Sequence, residues 1–86
     1  MPEISRFYGI VIQMYFANHP PPHSHAFYAG EAAKFGIADL RLLDGELPAR
    51  ALALVREWAA EHQVELMEAW RQAATNQLPT KITPLS

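Results

Sequence analysis

Residues 7–16 read FYGIVIQMYF, a run rich in aromatic and β-branched side chains. Such residues fit a pleated, half-buried surface, so the run is read as a strand. Side chains alternate across a strand. Ile10, Ile12, Met14 and Phe16 therefore share one face, and Val11, Gln13 and Tyr15 the other. Both faces are largely apolar, which predicts a central strand or one covered on both sides. Downstream, His25 to Ala29 (HAFYA) reads as a second strand, and Ala29-Gly30-Glu31 as a tight turn. Residues 32–38, AAKFGIA, make a third strand with Ala33, Phe35 and Ile37 on one face. Leu40 to Leu43 forms a short fourth strand, ended by the turn Asp44-Gly45-Glu46. Short connections of this kind predict an antiparallel meander.

Pro48 opens a helical region, because proline loses no amide partner in a first turn. Leu52, Val55, Trp58, Ala59, Leu66, Met67, Trp70, Ala73 and Ala74 recur at spacings of three and four, the signature of an amphipathic helix. His62 continues the stripe in register. Either one helix runs from about 49 to 74 or two meet near His62, where Glu61-His62-Gln63 and Val64 allow a bend. Pro79 and Pro84 keep residues 76–86 extended, and Lys81-Ile82-Thr83 is read as a segment able to dock as an edge strand. The expected fold is α+β in a single domain, 1–86. A small antiparallel sheet of three to four strands fills 5–47, one long or two shorter helices fill 48–75, and an extended tail closes the chain.

Composition narrows the chemistry. The chain has 86 residues, half of them hydrophobic, and no cysteine, so disulfides, zinc–thiolate sites, iron–sulfur clusters and thiol nucleophiles are excluded. The formal net charge of −2 is evenly spread: residues 1–50 carry four basic and five acidic side chains, residues 51–86 three and four. Without a basic block to displace counterions, nucleic-acid binding by this chain alone is disfavoured. No apolar run reaches the ~20 residues that span a bilayer, and MPEISRF lacks the basic-then-apolar pattern expected of a signal peptide. A cytoplasmic, prokaryotic protein is expected.

Residues 18–31, NHPPPHSHAFYAGE, hold three of the four histidines, with Pro20 to Pro22 between the first two. His23 and His25 are about 6.6 Å apart along a strand and project to the same side, a pair able to chelate an ion such as Zn or Ni. His19 lies about 12 Å from His23 if the prolines are in polyproline II conformation. A cis His19–Pro20 bond or a turn eases that reach. Glu31, Asp39 and His62 are the candidates for a fourth ligand, none selected by spacing. The same histidines also suit a plain structural role, capping and hydrogen-bonding the loop. Catalysis is a third reading, pairing a histidine with Arg6, Arg41, Lys34 or Tyr8 in a nuclease or phosphotransfer site, or with Ser24 as nucleophile. The proline run is also a preformed surface element of the kind used at protein contacts. Tyr15, Phe16, Phe27 and Tyr28 then serve either core or platform, with core expected for at least half. Glu57, Glu61, Glu65 and Glu68 read as a solvated acidic face rather than a metal site.

The motifs ISRFYGIVIQMYF, HPPPHSHAFYAGE, LLDGELPARALALVREW, ELMEAW and KITPL, in that order, resemble the bacterial domain of unknown function 4160 over nearly the whole chain. Ser24 stands where that family usually has an aromatic residue, and Ala17-Asn18 where a polar–acidic pair is common. The resemblance implies a small stand-alone protein, often encoded beside a second small protein in an arrangement similar to toxin–antitoxin modules. The leading expectation is a non-enzymatic interaction protein whose partner is that neighbour or a second copy. Asn18, His19, Pro21, Pro22, His23 and Tyr28 are the expected contact residues. The alternative is a histidine-based or metal-dependent hydrolase or nuclease using His19, His23 and His25.

Overall fold

The computed structural model describes residues 2–16 and 19–86. Its elements are β1 (Glu3–Phe7), β2 (Ile10–Gln13), β3 (His23–Tyr28), β4 (Glu31–Gly36), β5 (Leu42–Gly45), α1 (Ala49–Glu61) and α2 (Gln63–Ala74). The strands form one antiparallel meander in the order β1-β2-β3-β4-β5. The α+β class stands, with five strands in place of three to four.

The extra strand is β1, which lies ahead of the stretch 7–16 and takes only Phe7 from it. Tyr8 and Gly9 take φ values of 50° and 80° and turn the chain between Phe7 and Ile10, which pair across the hairpin. A two-residue loop with both φ positive matches the twist of the flanking strands. Ala29 and Gly30, at 50° and 82°, make the same turn between β3 and β4, where that turn is expected. The predicted 32–38 strand runs Glu31–Gly36, and the predicted Leu40–Leu43 strand is shifted to Leu42–Gly45. Asp44 and Gly45 thus belong to β5 rather than to a turn. Asp44 pairs with Lys34 and Gly45 with Ala33.

Strand alternation divides the sheet into two faces. Ile10, Ile12, Ala26, Ala33 and Phe35 are buried on the inner face, in one core with Ala51, Val55, Trp58, Leu66, Ala69 and Ala73 of the helices. Trp58 is fully buried, its ring centroid 5.3 Å from that of Phe7. The outer face carries Val11, Gln13, His25, Phe27 and Lys34, all half-buried. β2 is an interior strand between β1 and β3, one of the two expected alternatives; the helices pack mainly on the inner face, and only Trp70 of α2 reaches the other side, at His23. The expectation that half of the four aromatics enter the core fails. Tyr15, Phe27 and Tyr28 are half-buried and Phe16 is exposed. The core is filled instead by Ile4, Ile10, Ile12, Met14 and Trp58, each fully buried.

The helical region is two helices. His62, with φ −128° and ψ 27°, leaves the helical conformation and caps both. Gln63 anchors the joint by donating through Nε2 to the carbonyls of Ile37 and Ala38, at 2.9 and 3.1 Å. Asn76, at φ 60°, ends the second helix in the left-handed conformation. The tail returns to β1. The Ile82 amide donates to the Ile4 carbonyl at 2.8 Å, and Trp58 Nε1 to the Thr83 carbonyl at 2.9 Å. Pro79, Ile82 and Leu85 are buried beneath this contact. Docking at the edge is as expected, though through one backbone hydrogen bond to β1 and without strand geometry. Among the described residues no helix is long and apolar enough to cross a membrane.

Candidate functional site

The proline loop enters β3 at His23, and its base is fixed at two points. Ile37 donates its amide to the Pro22 carbonyl at 3.0 Å, and His23 Nδ1 meets the Pro21 carbonyl at 2.7 Å. A carbonyl only accepts, so Nδ1 carries the proton and Nε2 of the neutral ring bears the lone pair. His19, Pro20 and Pro21 are exposed above this base. The cis peptide bond of the loop joins Pro20 to Pro21, not His19 to Pro20.

His23 and His25 do share a side of β3. Their ring centroids are 5.0 Å apart, with planes at 72°. His23 is only 3% exposed and lies 5.1 Å from the Trp70 ring. His25 is stacked on Tyr15 at 4.1 Å. Burial, then the neighbouring His23 and Lys34, push the His25 pKa down to about 4, so its ring is neutral at pH 7. The Nε2 atoms of both histidines are buried with no hydrogen-bond partner, as is Oε1 of Gln13. Gln13 is the direct cross-strand neighbour of His25.

Of the other site candidates, Lys34 adjoins this pair as the cross-strand neighbour of His25, whereas Glu31, Asp39, His62, Arg6 and Ser24 do not join it. Among the described residues no three of His, Cys, Asp or Glu gather as a metal site. Glu31 lies at the far end of β4, opposite Tyr28. Asp39 accepts from the Arg41 amide at 3.1 Å. His62 Nδ1 is engaged by Glu65, and its ring packs 5.6 Å from Trp58. Arg6 is paired with Glu3 at 2.7 Å. Ser24 is buried opposite Phe35 on the inner face, away from both histidines, so a serine–histidine nucleophile is not assembled. The acidic residues of the helices are exposed, with Glu68 bound to Arg71 at 2.7 Å.

The expected partner residues separate as well. Asn18 lies outside the described residues. His19 and Pro21 are exposed and Pro22 is half-buried, whereas His23 is buried out of a partner's reach. Tyr28 sits at the opposite end of β3, about 16 Å along the strand, packed against the core. Val11, Phe27 and Tyr15 stand on the outer side of the sheet. All three are half-buried, and none belongs to the core or packs against it. Glu3, Arg6, Lys34 and Asp44 surround them. The Glu3↔Gln13, Gln13↔His25, His25↔Lys34 and Lys34↔Asp44 pairings draw a polar row across all five strands. Gln13 was the residue least visible in the sequence. Its only signal is an amide side chain within an otherwise apolar run.

Comparison with curated proteins and with solved structures returns no match. The sequence profile described as Domain of unknown function (DUF4160) matches residues 9–71. That span holds the loop, four of the five strands, α1 and most of α2. The chain belongs to this family.

Proposed function

We propose that this chain is a protein-interaction module, one half of a toxin–antitoxin-like pair, which holds a second small protein against the outer sheet face and the proline loop. The layering carries this reading. The helices pack mainly on the inner side, reaching the outer side only where Trp70 meets His23, while Val11, Tyr15 and Phe27 stand on the outer side apart from the core. An apolar, aromatic centre within a charged rim is the usual anatomy of an interface. The loop adds a preformed edge. With its base fixed at Pro21 and Pro22, little conformational freedom is lost when its exposed tip is covered. The family resemblance, whose members are often encoded beside a second small protein, supports such a neighbour as the partner. A histidine-based hydrolase has less support, because a general base must reach the proton it removes, and both Nε2 atoms are buried.

Co-expression of the two proteins followed by sedimentation tests the reading. A stable 1:1 complex is expected. His19→Ala combined with Pro21→Ala is expected to weaken it about tenfold, the loss of roughly 1.4 kcal/mol. The absence of a complex, or one indifferent to the loop variant, would count against this assignment.

A further inference from the structure

His23 presents the arrangement that protein metal ligands use. Its Nδ1–H is held by a backbone carbonyl at 2.7 Å, which fixes the tautomer and aims the Nε2 lone pair elsewhere. That lone pair is buried and has no protein donor. Leaving such an atom unpaired costs about 1–3 kcal/mol. His25, two residues on, has an equally buried and unpartnered Nε2, as does the cross-strand amide oxygen of Gln13. Three polar atoms on adjoining side chains thus lack partners; Gln13 Oε1 can only accept or ligate, and so can Nε2 of the His23 tautomer whose Nδ1 donates to Pro21.

The spacing suits one ion. Imidazoles bound to a tetrahedral ion through bonds of about 2.0–2.1 Å have ring centroids roughly 5 Å apart, and the observed separation is 5.0 Å. We infer that His23 and His25, with the Gln13 amide oxygen as third donor, bind a single transition-metal ion of the imidazole-preferring class, Zn²⁺ first among them. Nitrogen donors favour Zn, Cu and Ni over Mg and Ca, which take oxygen cages. The site contains no carboxylate or thiolate, and Lys34 stands directly opposite His25 on the next strand. A cation there meets the Lys34 charge, which Asp44 on the next strand offsets only in part, so the affinity is moderate and Lys34 lowers it. His19 has no part in the site.

The test uses the untagged full chain, stripped with chelator and titrated with Zn²⁺ by calorimetry and with Co²⁺ by visible absorption. One ion per chain and a Co²⁺ ligand-field band are expected. Lys34→Gln is expected to tighten Zn²⁺ binding about three- to tenfold, an effect that a purely structural histidine pair would not produce. His19→Ala should leave affinity unchanged, and His25→Asn should abolish the band. The half-buried His25 is chosen because a change at the buried His23 risks the fold, and circular dichroism in chelator checks that the variant folds. Failure of wild-type protein to bind one equivalent overturns the inference. So does binding that survives His25→Asn or disappears with His19→Ala.

Discussion

At the scale of single residues, His25 ties the loop to stability. Its folded pKa is about 4 against an ordinary 6.5. Above pH 6.5 the ring is neutral in both folded and unfolded chains and contributes no pH dependence. Between 6.5 and 4 the unfolded chain takes up a proton that the folded ring refuses, so stability falls as pH drops. Because the ring is only half-buried, the loss is on the order of 1–2 kcal/mol, below the full shift. Urea midpoints measured in chelator from pH 7 to 4 should show that extra loss in wild type relative to His25→Gln. Parallel curves would contradict the assignment. Gly45 gives a second residue-scale test. At φ +76°, an added Cβ meets the Ala32 carbonyl oxygen at 2.2 Å, so Gly45→Ala should cost at least about 2 kcal/mol. Gly30 has a similar φ of +82° but open space around it, and Gly30→Ala should cost only about 1 kcal/mol. Equal midpoints for the two variants would refute the steric account. The pairing of His23 with His25 was legible in the sequence, since alternation alone puts residues two apart on one side. The inclusion of Gln13 was not. It depends on the register between β2 and β3, which pairs Gln13 with His25 and does not follow from local spacing.

At the scale of elements, the tail is the least conventional part. It closes the open side of β1 through Ile82 and is held by the indole of Trp58. Trp58→Phe keeps an aromatic ring against Phe7 but removes the donor to the Thr83 carbonyl. We expect a loss of about 1–3 kcal/mol from the missing hydrogen bond and the reduced ring volume. Amide exchange at Ile82 should rise at least tenfold, while exchange within β3 changes only with global stability. An unchanged rate at Ile82 would mean that the tail is held by other contacts. The helices were legible because their apolar positions repeat at three and four, and the break near His62 was one of two readings left open by a region without glycine or proline. The first hairpin was missed for a physical reason. Tyr8-Gly9 is embedded in apolar residues, so its turn has no polar punctuation. Its one signal is a glycine within a strand pattern, and Tyr8 adopts φ 50° although it is not glycine. β1 itself, EISRF, mixes charge and apolar side chains, and its register shifts between Glu3 and Ser5, which blurs the alternation.

At the scale of the whole molecule, the layering is asymmetric: a five-stranded sheet with the helices mainly on one side, apart from Trp70 at His23, and an aromatic, charge-rimmed surface on the other. A second apolar surface competes for the role of docking site. α2 and the tail enclose a groove of about 300 Å³ lined by Val64, Ala69 and Ile82, and Val64 is 84% exposed. That groove has acidic and basic groups on its rim, but Glu65 and Glu68 are already engaged by His62 and Arg71. Phe27 and Val64 therefore report on two separate surfaces. The decisive measurement is the calorimetric affinity of the proposed small protein partner for wild type, Phe27→Thr and Val64→Thr. Truncating a central aromatic anchor typically costs at least about 2 kcal/mol, so Phe27→Thr should weaken binding about thirtyfold, with Val64→Thr within twofold of wild type. Loss of affinity at Val64 with Phe27 indifferent would contradict the outer-face assignment and transfer the interface to the helical side.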